Sequence, residues 1–347
     1  MIFFNPMGVN MIKTKSLREK TSEARKLSNN PNDIRIRAAW LYYIEGMTQS
    51  DVAKSLGINR IMVNRLLAEA KKRREVIIKI NSELSELVKL QQDLKDCFNL
   101  NDAIIAPLES DQNDPTAVIA AAAGNYVSNC IRSDMTIGVG WGKTLNAMLS
   151  YLDSRPVSGM RVISLLGGIA QAKHFNPAEF AWQFAQHFEA EGYLIPAPAV
   201  VDSAQTKHAL LENCGLEQVF QLAESCDAVI FSCGGITELT TSYRSGHISE
   251  STRHDLISSG AVGDCLYHFL DRHGQLIEHS VNKRSISMPI ERLKLIPEKI
   301  LISGGEEKIA ILHSTLRSLQ PTVLITDERS AKALLNKANH VCNQVEK

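Results

Sequence analysis

The 347-residue sequence lacks any long apolar run. Its longest near-continuous stretch, Ala117 to Ala123, falls far short of the roughly 18 residues that a membrane-spanning helix needs, so no membrane partner is expected. Seven cysteines are scattered without a single CxxC pair, which argues against a disulfide framework or a zinc ribbon and for free thiols in a reducing cytoplasm. The sequence has no HExxH, no GxSxG and no His or Cys pair at metal-ligand spacing, so the commonest hydrolase and metalloenzyme signatures are missing and neither a metal nor another cofactor is expected. The opening residues carry no basic group ahead of their short apolar stretch and no small-residue cleavage site, so a secretory signal is not expected. Internal repeats and low-complexity tracts are also missing. What remains is 44% hydrophobic and 22% charged, the composition of a globular protein long enough for two or three domains.

Net charge is zero, yet the two ends of the chain differ. Residues 1–80 hold 16 Lys and Arg against 7 Asp and Glu, an excess of nine positive charges, while the other 267 residues hold 22 against 31. A basic module that meets a polyanion, joined to an acidic body that does not, is the reading this asymmetry favours. Residues 1–32 are polar and basic with little periodicity and read as a mobile arm. From Asp33, read as a helix cap, a helix with Ile36, Ala39, Trp40, Tyr43 and Ile44 on one face is expected to end at Gly46. Thr48 then caps a short helix closed by Gly57, and Asn59 caps a third helix with Val63, Leu66, Leu67 and Ala70 inward. Val76–Ile80 reads as a strand, the wing of a winged helix-turn-helix at 33–81. Leu84, Leu87, Leu90 and Leu94 give residues 82–97 a short heptad-like pattern, expected to form a linker or oligomerisation helix.

The helix–turn–helix spacing sets the third helix steeply against the second, with its polar face free to enter a major groove. Projected at 100° per residue, that face carries Ile61, Asn64, Arg65, Ala68 and Lys72. Asn and Arg are the side chains that can bond adenine and guanine edges bidentately. Asn59 and Arg60 at the helix start can reach phosphates or the first base, and Thr48 and Gln49 at the start of the preceding one suit a phosphate contact. Double-stranded operator DNA is therefore the expected partner of this module.

Residues 98–347 alternate short apolar strands (Ala103–Ala106, Met135–Val139, Arg161–Leu166, Ala228–Cys233, Lys299–Ser303, Thr322–Thr326) with helices such as Pro115–Ile131, Pro177–Glu191 and Gly305–Leu319. Such alternation predicts an α/β domain on a parallel sheet. Five glycine-rich segments are expected to be turns after strands: Gly138 to Thr144, Leu166-Gly167-Gly168, Cys233-Gly234-Gly235, Gly260 to Asp264 and Gly304 to Lys308. Glycine turns converging at the carboxyl edge of a parallel sheet would present backbone N–H groups to an anionic ligand. The first resembles two nucleotide motifs and fits neither. A P-loop needs glycine where Ile137 stands, and the dinucleotide fingerprint needs it where Lys143 stands. The expected site comprises Gly140, Trp141, Gly142, Lys143, Thr144, Gly167, Gly168, Asp264, Gly304, Gly305 and Lys308. Lys308 would aim its ammonium at the anion, and Asp264 would accept from sugar hydroxyls.

In order, GMTQSDVAKSLGINRIMVNRLL, GVGWGKT, SLLGG, SGAVGD, SGGEEK and LITDERSAKALL resemble the SorC family of bacterial sugar-responsive transcriptional regulators over residues 33–336. The branch that controls erythritol operons is the most similar, through SLLGG with Asn176-Pro177 downstream and through ITDERSAKALL. The resemblance implies an effector domain similar to sugar-phosphate isomerases and deaminases, used as a sensor. It implies a phosphorylated sugar or polyol as ligand, assembly into dimers or tetramers, and regulation of a carbohydrate or polyol operon rather than catalysis. It assigns Gly140, Gly142 and Thr144 to a phosphate loop, Gly167 and Gly168 to a second loop, Asp264 to ligand hydroxyls and Lys308 to the anion. Trp141 and Lys143 depart from the small or acidic residues common in the first loop, and Trp141 is expected to narrow the pocket or stack on the ligand. The alternative is an active isomerase or deaminase bearing a DNA-binding arm, with Asp264 its one candidate base.

Overall fold

A computed structural model describes residues 31–76, 85–108, 114–169, 176–237 and 248–345. The chain divides into two compact units, residues 1–83 and 84–347.

The first unit is built on α1 (Pro31–Tyr43), α2 (Gln49–Leu56) and α3 (Arg60–Lys72). The Thr48 hydroxyl accepts from the Asp51 N–H at the start of α2, and Gly57 ends that helix at φ 65°, a left-handed conformation that costs glycine nothing. Asn59 caps α3 by accepting from the Met62 N–H at 2.8 Å. Both caps and the closing glycine stand where the sequence places them. The buried core is Ala38, Ala39, Val52, Ala53, Val63, Leu67, Ala70 and Val76.

The first helix needs correction. It begins at Pro31, with Asp33 inside its first turn rather than capping it. Its core face holds Arg35, Ala38 and Ala39, while Ile36, Trp40 and Ile44 are 40–43% exposed. Of the expected stripe only Ala39 is buried and Tyr43 half-buried, because the helix is turned so that the buried Arg35 pairs with Glu75, beyond the end of α3. Beyond Val76, the expected wing strand lies outside the described residues, as do residues 1–30 of the arm expected at 1–32, whose last two residues, Pro31 and Asn32, open α1 instead.

In chain order the second unit runs α4 (Ser85–Phe98), β1 (Asp102–Ala106), α5 (Thr116–Cys130), β2 (Thr136–Val139), α6 (Lys143–Met148), β3 (Arg161–Ser164), α7 (Pro177–His187) and β4 (Glu191–Tyr193). It continues through α8 (Ala204–Asn213), α9 (Leu216–Glu224), β5 (Ala228–Phe231), β6 (Cys233–Gly235), α10 (Glu250–Ser258), β7 (Ala261–Cys265) and β8 (His268–Asp271). It ends with α11 (Ser280–Arg284), α12 (Ile290–Lys294), β9 (Glu298–Ile302), α13 (Ile309–Leu319), β10 (Val323–Asp327) and α14 (Glu328–Val345). Seven strands pair in parallel in the order β1-β10-β9-β5-β2-β3-β4. Alternate strand residues feed two apolar layers. Ile163, Val229, Phe231, Leu301 and Leu324 join one with side chains from α4, α9, α13 and α14, whereas Val162, Ile230, Ile300 and Ile325 join the other with α5, α6 and α7. Leu87 and Leu94 of α4 are buried in the first layer, so the heptad-like pattern reflects packing onto the unit's own sheet; Leu84 lies outside the described residues.

The strand order places the site. From β2 the chain moves outward one way through β3 and β4, and from β5 it moves the other way through β9 and β10. Strands β2 and β5 are neighbours, so the direction of winding reverses between them, and the crevice at their carboxyl ends is where open α/β sheets take ligands.

Four strands, β4, β6, β7 and β8, differ from expectation. Cys233-Gly234-Gly235 and Ala261–Cys265 are strands of a separate antiparallel sheet, β6-β7-β8, rather than turns. Glycine allows this close pairing: a side chain on Gly263 would meet the Gly234 carbonyl at 2.3 Å and Ile311 at 2.7 Å. The short edge strand β4 carries no period-2 pattern and was not expected either.

Candidate DNA interface and effector site

On α3 the residues expected outward are outward. Ile61 is 81% exposed, and Asn64, Arg65, Ala68 and Lys72 are exposed, opposite the buried Val63, Leu67 and Ala70. The Arg60 guanidinium donates to the Gln49 side-chain oxygen at 3.2 Å, which joins the start of α2 to the start of α3. Thr48, Gln49, Ser50 and Arg60 line one shallow groove with Tyr42 and Tyr43. Two N-terminal helix ends and one cation thus face the same strip of surface, where their free N–H groups and charge favour phosphate. The basic run after the helix is partly committed to its own unit: Lys71 lies 5.7 Å from the Tyr43 ring centre, and Arg73 pairs with Glu69 at 2.6 Å.

In the second unit, the loop after β2 lies at the winding reversal. Gly140 donates its N–H to the Ile230 carbonyl of β5 at 2.8 Å, which holds the loop against the neighbouring strand. A side chain on Gly140 would stand 2.7 Å from Leu266 and 3.3 Å from the Phe231 backbone. Gly142 faces Ser232 and opens α6, whose first residues are Lys143 and the buried Thr144. Trp141 is only 6% exposed and stacks on Tyr267, ring centres 5.5 Å apart and planes within 10°. Its expected role against a ligand therefore meets a prior partner: the indole is already packed within the protein.

Asp264 is buried on β7 opposite Gly234 of β6, and its Oδ2 accepts from the Tyr267 N–H at 3.0 Å. Next along β6, Cys233 is enclosed, and burial pushes its thiol up to about 11 against the opposing pull of the Ser303 hydroxyl and the Lys308 charge. Residues 306–308 pack beside β6, whose Gly234 pairs with Asp264 of β7. Lys308 is half-buried at the end of the short helical turn Glu306–Lys308 that follows Gly305. Gly304 and Gly305 are buried beneath it, Gly304 tight against Asp327 and Gly305 donating its N–H to the Ser330 hydroxyl.

Two expected contributions are redirected. Gly167 and Gly168 donate their N–H groups to the Ile286 and Ala197 carbonyls, so neither amide is directed at a ligand. Gly167 is instead a packing glycine, with carbonyls 2.6–2.7 Å from where a side chain would begin. Lys143 reaches Asp114 at 2.5 Å, on the rim of a groove with Thr116, Ala117, Ala147 and Tyr151. Burial raises the Asp114 carboxyl, but bonds from Lys143 and Thr116 outweigh it and hold the group at about 2. Lys143 is thus neutralised locally instead of charging the crevice.

Sequence reasoning missed Asp327, Ser330, Leu266 and Tyr267. A signal existed for the first two. In Asp327-Glu328-Arg329-Ser330 an Asp caps the N–H three residues on, at 3.0 Å, immediately after an apolar strand. Nothing in Leu266-Tyr267 marks a turn. Among the described residues, no three His, Cys, Asp or Glu side chains gather as a metal site.

Comparison with known proteins gives the family. Residues 82–336 match the sugar-binding domain family. The erythritol catabolism regulatory protein of Brucella abortus is 29% identical over 315 residues, covering 90% of this chain and 99% of that protein. The deoxyribonucleoside regulator of Bacillus subtilis is 27% identical over 312 residues, covering 89% and 99%. The full-length sorbitol operon regulator of Klebsiella pneumoniae shares the fold, with a TM-score of 0.66 at 24% identity, covering 88% of this chain and 99% of that one.

Proposed function

The chain belongs to the sugar-binding domain family, and we propose that it is a DNA-binding transcriptional regulator of a sugar or polyol utilisation operon. Its effector is a phosphorylated sugar or polyol, and its action is regulatory rather than catalytic. The observation that carries the reading is the pairing, in one chain, of an exposed Asn64–Arg65 face on a helix-turn-helix with a parallel α/β sheet whose winding reverses between β2 and β5. The relatives support it, since their names describe regulators of erythritol and deoxyribonucleoside use.

In this reading residues 33–81 bind the operator, 98–347 bind the effector, and 82–97 link them in the cytoplasm. Thr48, Gln49, Asn59, Arg60 and Lys72 position the module on phosphates, and Asn64 and Arg65 read bases. The first turn of α6, from Gly142 to Thr144, and Lys308 take the phosphate, while Asp264 takes hydroxyls. The chain acts as a dimer or tetramer, because paired recognition helices read two half-sites about one helical turn apart. Regulation requires the effector to bind two conformations unequally; a tenfold change in DNA affinity corresponds to about 1.4 kcal/mol.

The test is fluorescence anisotropy of the full chain on DNA from upstream of its own gene cluster, at fixed salt, with tetritols, pentoses and hexoses in free and phosphorylated form. The expected result is tight binding shifted by a phosphorylated compound and not by its free counterpart. DNA binding that no phosphorylated compound alters, together with turnover of an aldose phosphate, would instead establish the isomerase alternative.

A further inference from the structure

The turn between β7 and β8 is two residues long, since Cys265 pairs with His268, and both of its residues are left-handed: Leu266 at φ 53° and Tyr267 at φ 60°. Asn-Gly ordinarily fills such a turn, because a branched or aromatic residue is strained there. Here both residues are bulky and at most 1% exposed, so the surrounding contacts hold a conformation the residues themselves disfavour.

Three of those contacts lie in the loop after β2 and on β7. Leu266 packs over Gly140, and Tyr267 lies flat on Trp141 in the same loop. The Tyr267 N–H is held by Asp264, which is 4% exposed. A ligand hydroxyl that takes this buried carboxylate competes with the Tyr267 N–H for it. Elements held in strained geometry by a few contacts have two discrete arrangements more readily than a continuous range.

We propose that the Leu266–Tyr267 turn is a latch on the effector crevice. In one position Asp264 holds the Tyr267 N–H and Trp141 lies on Tyr267. In the other, ligand hydroxyls have taken Asp264, the strained turn relaxes, and Trp141 leaves the stack, which moves the loop that opens α6. This rests on the reading of the crevice as a sugar-phosphate site.

The protein carries three tryptophans, and Trp40 and Trp182 are 43% and 52% exposed, so the full-length Trp40→Phe, Trp182→Phe variant leaves Trp141 as the sole reporter. Without ligand, Asp264→Ala in this background is expected to red-shift Trp141 emission and raise its quenching by acrylamide severalfold. Asp264→Asn keeps a carbonyl acceptor for the turn and is expected to match the parent. If Asp264→Ala fails to fold, Tyr267→Leu, which removes the stacking partner but keeps apolar volume, is expected to give the same red shift. Emission unchanged in whichever folded variant is measured overturns the latch.

With ligand, erythritol 4-phosphate, ribose 5-phosphate, glucose 6-phosphate and inorganic phosphate are each scored by thermal midpoint and by Trp141 emission. A compound that raises the midpoint is expected to shift emission in the parent and not in Tyr267→Leu. A raised midpoint with unmoved emission overturns the latch while the effector reading stands. If no compound raises the midpoint, the effector reading falls and the latch falls with it.

Discussion

The Ser330 hydroxyl accepts the Gly305 N–H at 2.8 Å, across 25 residues of chain, and donates to the Asp327 carboxylate at 2.6 Å. Asp327 also accepts the Ser330 N–H, and all three groups are buried. One hydroxyl thus ties the loop that ends in Lys308 to the carboxyl end of β10. Ser330→Ala would leave a buried amide and a buried carboxylate oxygen each short of a partner, a loss of about 1–3 kcal/mol. Urea denaturation should show that loss, with Ser330→Thr largely restoring stability. A stability equal to the parent's in Ser330→Ala would mean that the bridge does not anchor the loop.

The legibility of this molecule follows the range of its interactions. Thr48, Gly57 and Asn59 act on residues within four positions of themselves, so their caps could be read from local spacing. The parallel sheet was likewise legible, because strands buried on both faces read as apolar runs such as Ala228–Phe231. Rotation of α1 was not, since it depends on Arg35 meeting Glu75 forty residues away. Glycine turns presented a different difficulty. Gly167, Gly234 and Gly263 are glycines because another backbone lies within 3.1 Å of the missing side chain or because a carboxylate does, a tertiary fact with the same local signature as a phosphate loop. Two αL residues with bulky side chains at Leu266-Tyr267 contradict local preference outright, so no local rule could have found that turn.

The exposed face of α3 separates two kinds of DNA contact. Asn64→Ala and Arg65→Ala should each cost about 1–3 kcal/mol on the operator and leave non-specific DNA nearly unaffected, if they bond base edges. Lys72→Ala, a phosphate contact, should weaken both DNAs alike and reduce the salt slope by about 1. Anisotropy titrations of operator and scrambled duplex over a series of salt concentrations distinguish the outcomes. Equal losses on both duplexes for Asn64→Ala and Arg65→Ala would remove base reading from these two residues.

Two lysines flank the crevice, and their surroundings predict unequal effects. Lys308 is half-buried at the end of a turn packed beside β6, whereas Lys143 is engaged by Asp114 on the rim groove. Lys308→Ala should weaken the response to a phosphorylated effector about tenfold, corresponding to about 1.4 kcal/mol, with DNA binding in its absence unchanged. Lys143→Ala should have the smaller effect. The reverse order in effector titrations would place the phosphate on the Lys143 side.

Two buried histidines give the second unit an acid-sensitive window. Burial lowers His268 to about 4, and its Nε2 must carry the proton, because it contacts the Met288 carbonyl at 2.8 Å and a carbonyl only accepts. Burial, with Lys337 and Arg317 nearby, lowers His313 to about 4, and this ring stands edge-on to Phe98. An unfolded histidine takes up its proton near pH 6.5, so below that pH protonation favours the unfolded chain until the folded groups titrate as well. Stability is therefore full above about pH 6.5 and falls as pH drops toward 4, by about 2 kcal/mol per histidine between pH 7 and 5. Asp114, held at about 2 against its ordinary 3.8, loses its stabilisation only as pH falls through that lower range, so it adds almost nothing to the change between pH 7 and 5. Urea denaturation at the two pH values should show a drop smaller by about 2 kcal/mol in His268→Gln, whose amide can still donate to Met288, and similarly in His313→Gln. A pH dependence identical to the parent's in both variants would show that these histidines are not held neutral by the fold.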